Sequence, residues 1–467
     1  MKKEAVFIIL LFLLSFTFIR VLPLPVRAAP GTVRVPQDFL TIQQAIDASA
    51  SGGTILVAAK TYNENITVWK PLEIKGENAN STIIEQVGAF AICHITANNV
   101  NVSGFTLRGG SIGVWIDSCN YDSVRSTVIT NNDDGMWVTF SYGTVVSKNV
   151  LTDNLFMGLY LEASNNTSID GNTIASNTYG TYIQNSEDNS IYGNNISLNY
   201  ADGIHAINSN HNSVFHNLIS NNSLGTYLEG SNSNSIYENN LVDNLEQARA
   251  ENSVTNSWDD GTHGNYWSNY TGADNNGDGI GDTPYIINQN NQDRYPLMHP
   301  WTNIAFTSIS PSKNAVAQGQ PVNISVSLEN QGWDTQTTNV TVRANTTVIA
   351  TFPNIIVVGR SHTTLNFTWQ TGTFSRGNYV ISAQADPVPG ETDITDNTYQ
   401  SWIIVTITGD INGDGTVNIL DAIILGNSFL ATPGTQSWNP NADLNDDGIV
   451  NILDAIILGN HFLQHYP

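Results

Sequence analysis

Charged residues are scarce in this chain. Only 12% of its 467 residues are Asp, Glu, Lys or Arg, and 17 basic residues face 41 acidic ones, a formal net charge of −24. Binding a phosphate backbone needs clustered Lys and Arg, so the composition argues against nucleic acid as a partner and disfavours adhesion to an anionic membrane. Cysteine is nearly absent. Cys93 and Cys119 lie 26 residues apart, out of step with the repeat described below, and a disulfide between them is not favoured. Soft metal ligands are few: 4 Met, 2 Cys and 9 His, with no cluster along the sequence. Beyond the N-terminus no apolar run reaches membrane length, so no membrane span is expected in the mature chain. Stability must come from stacked apolar surface, metal sites and glycans; Asn-X-Ser/Thr acceptors such as Asn65, Asn165 and Asn366 recur.

What the chain has in abundance is periodicity. Val102, Val124, Val146, Ile169, Ile191, Val214 and Ile236 step by 22 or 23 residues, and Gly113, Gly135, Gly158, Gly180, Gly203 and Gly225 keep the same period. A period of that size marks a solenoid, in which each unit buries its apolar face against its neighbours. After each glycine the apolar residues alternate, as in Val114/Ile116 and Leu159/Leu161, so the units are strands. Two asparagine columns keep step: Asn149, Asn172, Asn194, Asn217 and Asn239, and Asn132, Asn154, Asn177, Asn199, Asn222 and Asn244. Asparagine suits left-handed corners and can form side-chain ladders between stacked coils. The pattern describes a parallel β-helix and resembles the NosD-like and pectate-lyase-like right-handed β-helix families. The fold class is therefore mainly β: a solenoid, followed by a β-sandwich and a small α-helical calcium-binding module.

The length predicts two to four domains. Lys2 and Lys3, the apolar run Ala5–Ile19, Pro23, Pro25 and the small residues ending at Ala28 read as a signal peptide over residues 1–28. Residues 29–300 form the β-helix with an N-terminal cap, whose Thr41-Ile-Gln-Gln44 reads as the start of a short helix covering the open end of the solenoid. Residues 301–407, with alternating strands such as Asn323–Leu328 and Thr364–Trp369, read as a sandwich. That stretch resembles CARDB-type domains, which implies a spacer.

One column of the coils faces outward: Trp115, Trp137, Tyr160, Tyr182, His205 and Tyr227. Two residues on, the polar border includes Asp117, Thr139, Glu162, Gln184 and Glu229. Six coils at about 4.8 Å would make an aromatic strip of roughly 24 Å. Rings beside carboxylates suit a sugar chain; the plainer alternative is that the aromatics only stabilise the sheet. Catalysis is less well supported. Glycosidic hydrolysis needs two nearby carboxylates, and within the repeat no second acid adjoins Glu162 or Glu229. Asp188 with His211, and His216 with Glu238, are the polar pairs in register that could serve as acid and base.

Past the repeat, Gly264–Tyr270, Asp274–Tyr285 and Asp293–Leu297 resemble the terminal motif of NosD-like proteins. Asp274, Asn276, Asp278 and Asp282 are hard oxygen donors around Gly279, a pattern suited to calcium. The family's association with copper-enzyme maturation is not matched by the few Cys, Met and His residues here.

The C-terminal residues 408–467 carry the most specific motif. Asp410, Asn412, Asp414, Asn418 and Asp421 recur 33 residues later as Asp443, Asn445, Asp447, Asn451 and Asp454. With Gly415 and Gly448 at position 6 and the carbonyls of Thr416 and Ile449 at position 7, these are EF-hand calcium loops with Asp at position 12. No entering helix precedes either loop. The tandem resembles a dockerin, which implies two calcium ions and a cohesin partner. Ile419, Leu420, Ile452 and Leu453 occupy positions 10 and 11, where an apolar cohesin interface is expected. The resulting expectation is a secreted or surface-attached protein that docks to a cohesin and presents a carbohydrate-binding β-helix. The alternatives are a polysaccharide lyase or glycoside hydrolase delivered by its dockerin, and a purely structural adhesion protein.

Overall fold

The computed structural model describes residues 31–466; the expected signal peptide lies outside the described residues. The chain divides into two compact units, Met1–Thr167 and Ser168–Pro467.

In the first unit three parallel sheets wind around one core. One sheet contains Leu72–Gly76, Asn101–Ser103, Ser123–Arg125 and Val145–Ser147; a second contains Thr106–Arg108, Val128–Thr130 and Val150–Thr152; a third contains Ala91–Ile95, Ile112–Asp117, Asp134–Thr139 and Met157–Glu162. Val124 lies in register with Val102 and Val146, as the period predicts. Their side chains, with Leu107, Ile129, Leu151, Val114, Met136 and Leu159, are buried. The expected cap helix, α1 (Ile42–Ala48), is present, with Ile42, Ala45 and Ile46 buried. Thr41 Oγ1 accepts from the Gln44 amide at 3.2 Å. The remaining free amides at the helix start, those of Ile42 and Gln43, donate to the Glu64 carboxylate at 2.9 and 3.0 Å. This longer-range cap replaces the return bond of a capping box.

The second unit contains its own coils, with outer strands Tyr179–Gln184, Asp202–Ile207, Leu224–Glu229 and Glu246–Glu251. The last strand is a coil beyond the sequence repeat: Tyr227 pairs in register with Arg249, and Glu229 with Glu251. A three-stranded sheet (Ile304–Pro311, Pro321–Asn330, Ser361–Gln370) faces a five-stranded one that includes Gln336–Ala344, Gly377–Ala385 and Thr398–Thr406. Alternate residues, among them Val322, Ile324, Val326, Leu328, Val340, Val342, Ile381 and Ile403, interdigitate as the sandwich core.

Asparagine amides close the corners. In the second unit Asn194 Nδ2 donates to the Ile169 and Tyr192 carbonyls and to Asn217 Oδ1, while its backbone amide also donates to Asn217 Oδ1. The same pattern passes from Asn217 to Asn239 and from Asn239 to Asn265. Sequence reasoning missed a third ladder, Asn189, Asn212, Asn234 and Asn256, although it keeps the same step of 22 or 23 residues. The expectation that the ladder asparagines themselves adopt left-handed backbone is corrected. The residue just before each does so: Lys148, Asp153, Ser176, Leu198, His216, Asn221, Glu238 and Asp243 all have φ between 52° and 58°. The glycine column has a different origin from backbone freedom. A Cβ on Gly203 would sit 2.7 Å from the Gly225 carbonyl oxygen and 2.9 Å from Asn222 Nδ2, so the ladder occupies the space a side chain would need.

The NosD-like terminal wording also has a physical basis. Buried Asp293 accepts from Asn265 N at 2.7 Å, Trp267 Nε1 at 2.8 Å and Tyr295 N at 3.0 Å. Burial pushes its carboxyl up to about 7, and these three donors oppose that shift. A Cβ on Gly264 would lie 1.7 Å from Asp293 Oδ1, so this glycine is part of the same knot.

Three substitutions test these contacts. Asn217→Ala strands the Asn194 donors and should lower stability by about 2–5 kcal/mol in urea unfolding, with hydrogen exchange accelerated around residues 190–220. Exposed Leu198→Gly, at φ 58°, should not destabilise and can gain up to about 1 kcal/mol. Asp293→Asn should cost about 2–3 kcal/mol despite its matched size, because its NH₂ must face existing N–H donors; tryptophan fluorescence during unfolding checks this.

Candidate functional site

The two C-terminal loops fold as one design. Asp410 Oδ1 accepts from Gly413 N at 2.9 Å and Asp414 N at 3.1 Å, and Oδ2 accepts from Gly415 N at 2.8 Å. Asp443 repeats this with Asp447 N at 3.2 Å and Gly448 N at 2.9 Å. Asp421, at position 12, accepts from Ile411 N, Asn412 N and Asn418 N; Asp454 does the same for Leu444, Asn445 and Asn451. Both position-12 carboxylates are fully buried. No Lys or Arg pairs with either among the described residues. Burial also raises the carboxyl of Asp410 above its ordinary range. Buried carboxylates of this kind need a cation, and a set made of Asp and Asn oxygens fits a hard one such as calcium. Helix α2 (Ile419–Asn427) leaves the first loop and α3 (Ile452–Asn460) the second; Asn418 and Asn451 cap them. Among the described residues no α-helix enters either loop, and a 3-10 turn, Pro440–Ala442, leads into the second.

The loop at Asp274 shares this geometry. Asp274 Oδ1 accepts from Gly277 N at 2.7 Å and Asp278 N at 3.2 Å, and Oδ2 from Gly279 N at 2.9 Å. Asn276 bonds Asp278 as Asn412 bonds Asp414. Asp282, at position 9 of this loop and exposed, accepts from Asn275 N at 2.8 Å, which is one of the three amide bonds that the position-12 acid makes in the other loops.

On the helices, Ile419 and Leu420 are 61% and 52% exposed, and Ile452 and Leu453 61% and 51%. Sequence reasoning missed that Ile423, Leu430, Ile456 and Leu463 extend the same exposed apolar faces. The signal was the i, i+4 spacing of Ile419 with Ile423 and of Ile452 with Ile456. Lys313 of the sandwich pairs with Asp446 Oδ1 at 2.6 Å and donates to the Asp443 carbonyl, while the Thr406 hydroxyl donates to Asp410. Both loops are thus tied to sandwich residues.

The outward column requires correction. Trp115, Trp137 and Tyr160 are half-buried and in register in the first unit. Trp115 and Trp137 meet edge-to-face at 6.3 Å and 83°, and Trp137 and Tyr160 at 5.6 Å and 71°, so they are not a flat row. His94 stacks on Trp115 at 4.3 Å. Thr139, expected at the polar border, is buried and accepts from Trp115 Nε1 at 2.9 Å; Glu162 is half-buried. In the second unit His205 keeps its place in the outward column, in register with Tyr182 and Tyr227, but is only 8% exposed. Its ring lies 4.8 Å from Tyr182 and 4.4 Å from Tyr227, and its Nδ1 lies 2.9 Å from Asp202 Oδ2. The alternation holds at His205, and the neighbouring rings with Asp202 cover it. The expected lack of adjoining acids is also overturned, because the extra coil places Glu251 in register with Glu229. Tyr227 donates to Glu251 at 3.0 Å, and burial with these carboxylates pushes its hydroxyl up to about 12.

Of the two acid–base pairs, His216 Nε2 meets Glu238 Oε2 at 2.8 Å. Asp188 and His211 are exposed on neighbouring coils. Histidines absent as a cluster in sequence do converge, since His263 also approaches Glu238. Cys93 and Cys119 are buried free thiols.

Residues 46–272 match the family described as periplasmic copper-binding protein (NosD), and residues 408–463 match the dockerin type I domain. The chain thus carries a NosD-family β-solenoid and a C-terminal dockerin domain. It is 32% identical over 135 residues to a cell surface glycoprotein of Methanothermus fervidus, covering 28% of this chain and 21% of that protein. It is 39% identical over 69 residues to a probable ABC transporter binding protein NosD of Stutzerimonas stutzeri, covering 15% and 16%. The chain therefore spans about a fifth or less of these relatives. Among solved structures, a mannuronan C-5 epimerase A-module of Azotobacter vinelandii is 20% identical with a TM-score of 0.38, covering 46% of this chain and 74% of that one.

Removal of calcium by a chelator should unfold residues 408–463 selectively, seen as lost helical circular dichroism that calcium restores. Asp421→Ala should require a higher calcium concentration to refold; helicity indifferent to both treatments would contradict the calcium assignment.

Proposed function

We propose that this is an extracellular, surface-attached β-helix protein held to a cohesin-bearing scaffold by its dockerin, with the β-helix presenting a face to carbohydrate. Dockerin type I domains bind calcium and dockerin domains bind cohesins. The observation that carries the reading is the pair of calcium-type loops, each opening onto exposed leucine and isoleucine. Two ions occupy Asp410–Asp421 and Asp443–Asp454, and the matching hydrogen-bond pattern supports a third at Asp274, Asn276, Asp278 and Asp282. A CARDB-like sandwich acts as a spacer. Copper is not assigned by the family description, since burial pushes the Cys93 thiol up to about 12 and leaves it a poor thiolate ligand.

The glycan reading is supported by half-buried Trp115, Trp137 and Tyr160, and separately by Tyr182 and Tyr227 flanking His205. Around the latter set, Asp202, Glu229, Glu246 and Glu251 outnumber Arg249, which is itself paired with Glu246 at 3.1 Å. That field repels uronate chains and favours neutral or amino-sugar polymers. The adjoining Glu229 and Glu251 favour a second reading, a glycoside hydrolase using this pair.

A polysaccharide panel separates the readings. Retention without cleavage, reduced by Trp137→Ala or Tyr227→Ala, is expected for binding. Depolymerisation lost in Glu229→Gln and Glu251→Gln supports hydrolysis, and no retention of any glycan would defeat both. Cohesin capture should weaken roughly tenfold or more in Leu420→Ala/Leu453→Ala, with calcium-dependent folding retained.

A further inference from the structure

The geometry points to a transition-metal site at the end of the second unit's coils, built from His216, Glu238, Asp260 and His263. It is separate from the calcium loops and from the outward column, so it does not rest on the function proposed above. His216 and Glu238 occupy equivalent corners of adjacent coils, each just before a ladder asparagine, and the loop Trp258–Gly264 brings Asp260 and His263 over them.

Glu238 Oε2 lies 2.8 Å from His216 Nε2, and Glu238 Oε1 lies 3.8 Å from His263 Nδ1. His263 Nδ1 is 3.9 Å from Asp260 Oδ2, and one donor atom from each of Glu238, Asp260 and His263 falls within 4.8 Å of the others. Ligands on a tetrahedral ion at bonds of about 2.0–2.2 Å stand about 3.4 Å apart, so Glu238, Asp260 and His263 must close in on the ion, and His216, which stands outside their 4.8 Å group and meets Glu238 alone, must move further to complete the set. Asp260 is already oriented for this. Its Oδ1 accepts from Thr262 N and His263 N, each at 2.7 Å, and from the Thr262 hydroxyl at 2.7 Å, which turns Oδ2 toward the histidine. His216 is held from behind by Trp301, stacked at 3.7 Å, and by Arg360 Nη2 donating to its carbonyl at 3.1 Å.

Charge supplies the second argument. Glu238 is 8% exposed, and its ion-pair partners among the described residues are these two imidazoles alone. A buried carboxylate whose ion-pair partners are two imidazoles, with the Asp260 carboxylate beside it, has no lysine or arginine paired to it among the described residues. Two nitrogen and two oxygen donors suit a borderline first-row divalent ion such as zinc, whereas calcium needs six or more oxygens. Bound there, the ion would staple two coils to the loop that closes them.

The test uses untagged full-length protein in saturating calcium, which keeps the acidic loops occupied. Zinc is titrated calorimetrically, and cobalt(II) serves as the spectroscopic probe. We expect one zinc equivalent, a four-coordinate cobalt visible spectrum and a zinc-dependent rise in melting temperature. His263→Ala and Asp260→Asn, both on the closing loop, should each weaken zinc by more than the roughly 10–100-fold that loss of an outer-shell partner costs. Glu238→Gln should do the same if it folds. Absence of zinc binding, or zinc bound equally well by His263→Ala and Asp260→Asn, would overturn the assignment and leave a plain histidine–carboxylate ion pair.

Discussion

The constraint on which the rest of the molecule depends is the backbone at the coil corners. A strand ladder pairs the peptide groups of each face, but every bend leaves carbonyls and amides that are buried under the next coil and out of reach of water. The asparagine ladders meet that demand. Each amide reaches a carbonyl of the preceding coil, a carbonyl two residues back and the next asparagine. Other features follow from them. Glycine opposite the Asn132–Asn244 ladder is required by space, the residues before the rungs of that ladder take positive φ, and serines such as Ser186, Ser209 and Ser231 form a parallel chain of the same kind.

The same unpaired-group logic, with charge added, governs the C-terminal loops. A solenoid corner can be satisfied by neutral amides because only dipoles are exposed. The dockerin loops gather carboxylates, and two of them are wholly buried without a basic partner. Backbone amides orient those oxygens but cannot neutralise them, so folding of this module is coupled to a cation. Lys313 and Thr406 bring sandwich residues into contact with the same loops, which extends that coupling beyond the module itself.

Much of this was legible in the sequence because both motifs are periodic. A column of valines at 22-residue spacing and an oxygen donor at every second loop position each impose geometry on every repeat. What was not legible is whatever breaks the period. Glu246–Glu251 continues the coils without glycine or aromatic landmarks, so the Glu229–Glu251 neighbours went unseen. Alternation assigned His205 to solvent, yet two tyrosine rings and Asp202 enclose it. His263 lies 47 residues from His216 in sequence, and it approaches the same carboxylate, Glu238, only because an irregular loop folds back over the coils.

The outward column shows how far a repeat can inform on binding. Registered residues 4.8 Å apart inevitably touch, so their rings first satisfy one another. In the second unit Tyr192, Phe215 and Tyr237 lie nearly parallel, 5° apart, at 5.1 and 5.4 Å, leaving ring edges rather than faces to solvent. That column is a device for the sheet. The Trp115–Trp137–Tyr160 rings turn edge-to-face instead, each contact setting one ring's edge on the other's face, and His94 stacks on Trp115. Recognition by such a surface therefore depends on departures from ideal stacking and on the carboxylates beside the rings. The chain is acidic overall, and its second-unit column is more acidic still. A ligand for that column is then selected as much by the charge it must not carry as by the rings it meets.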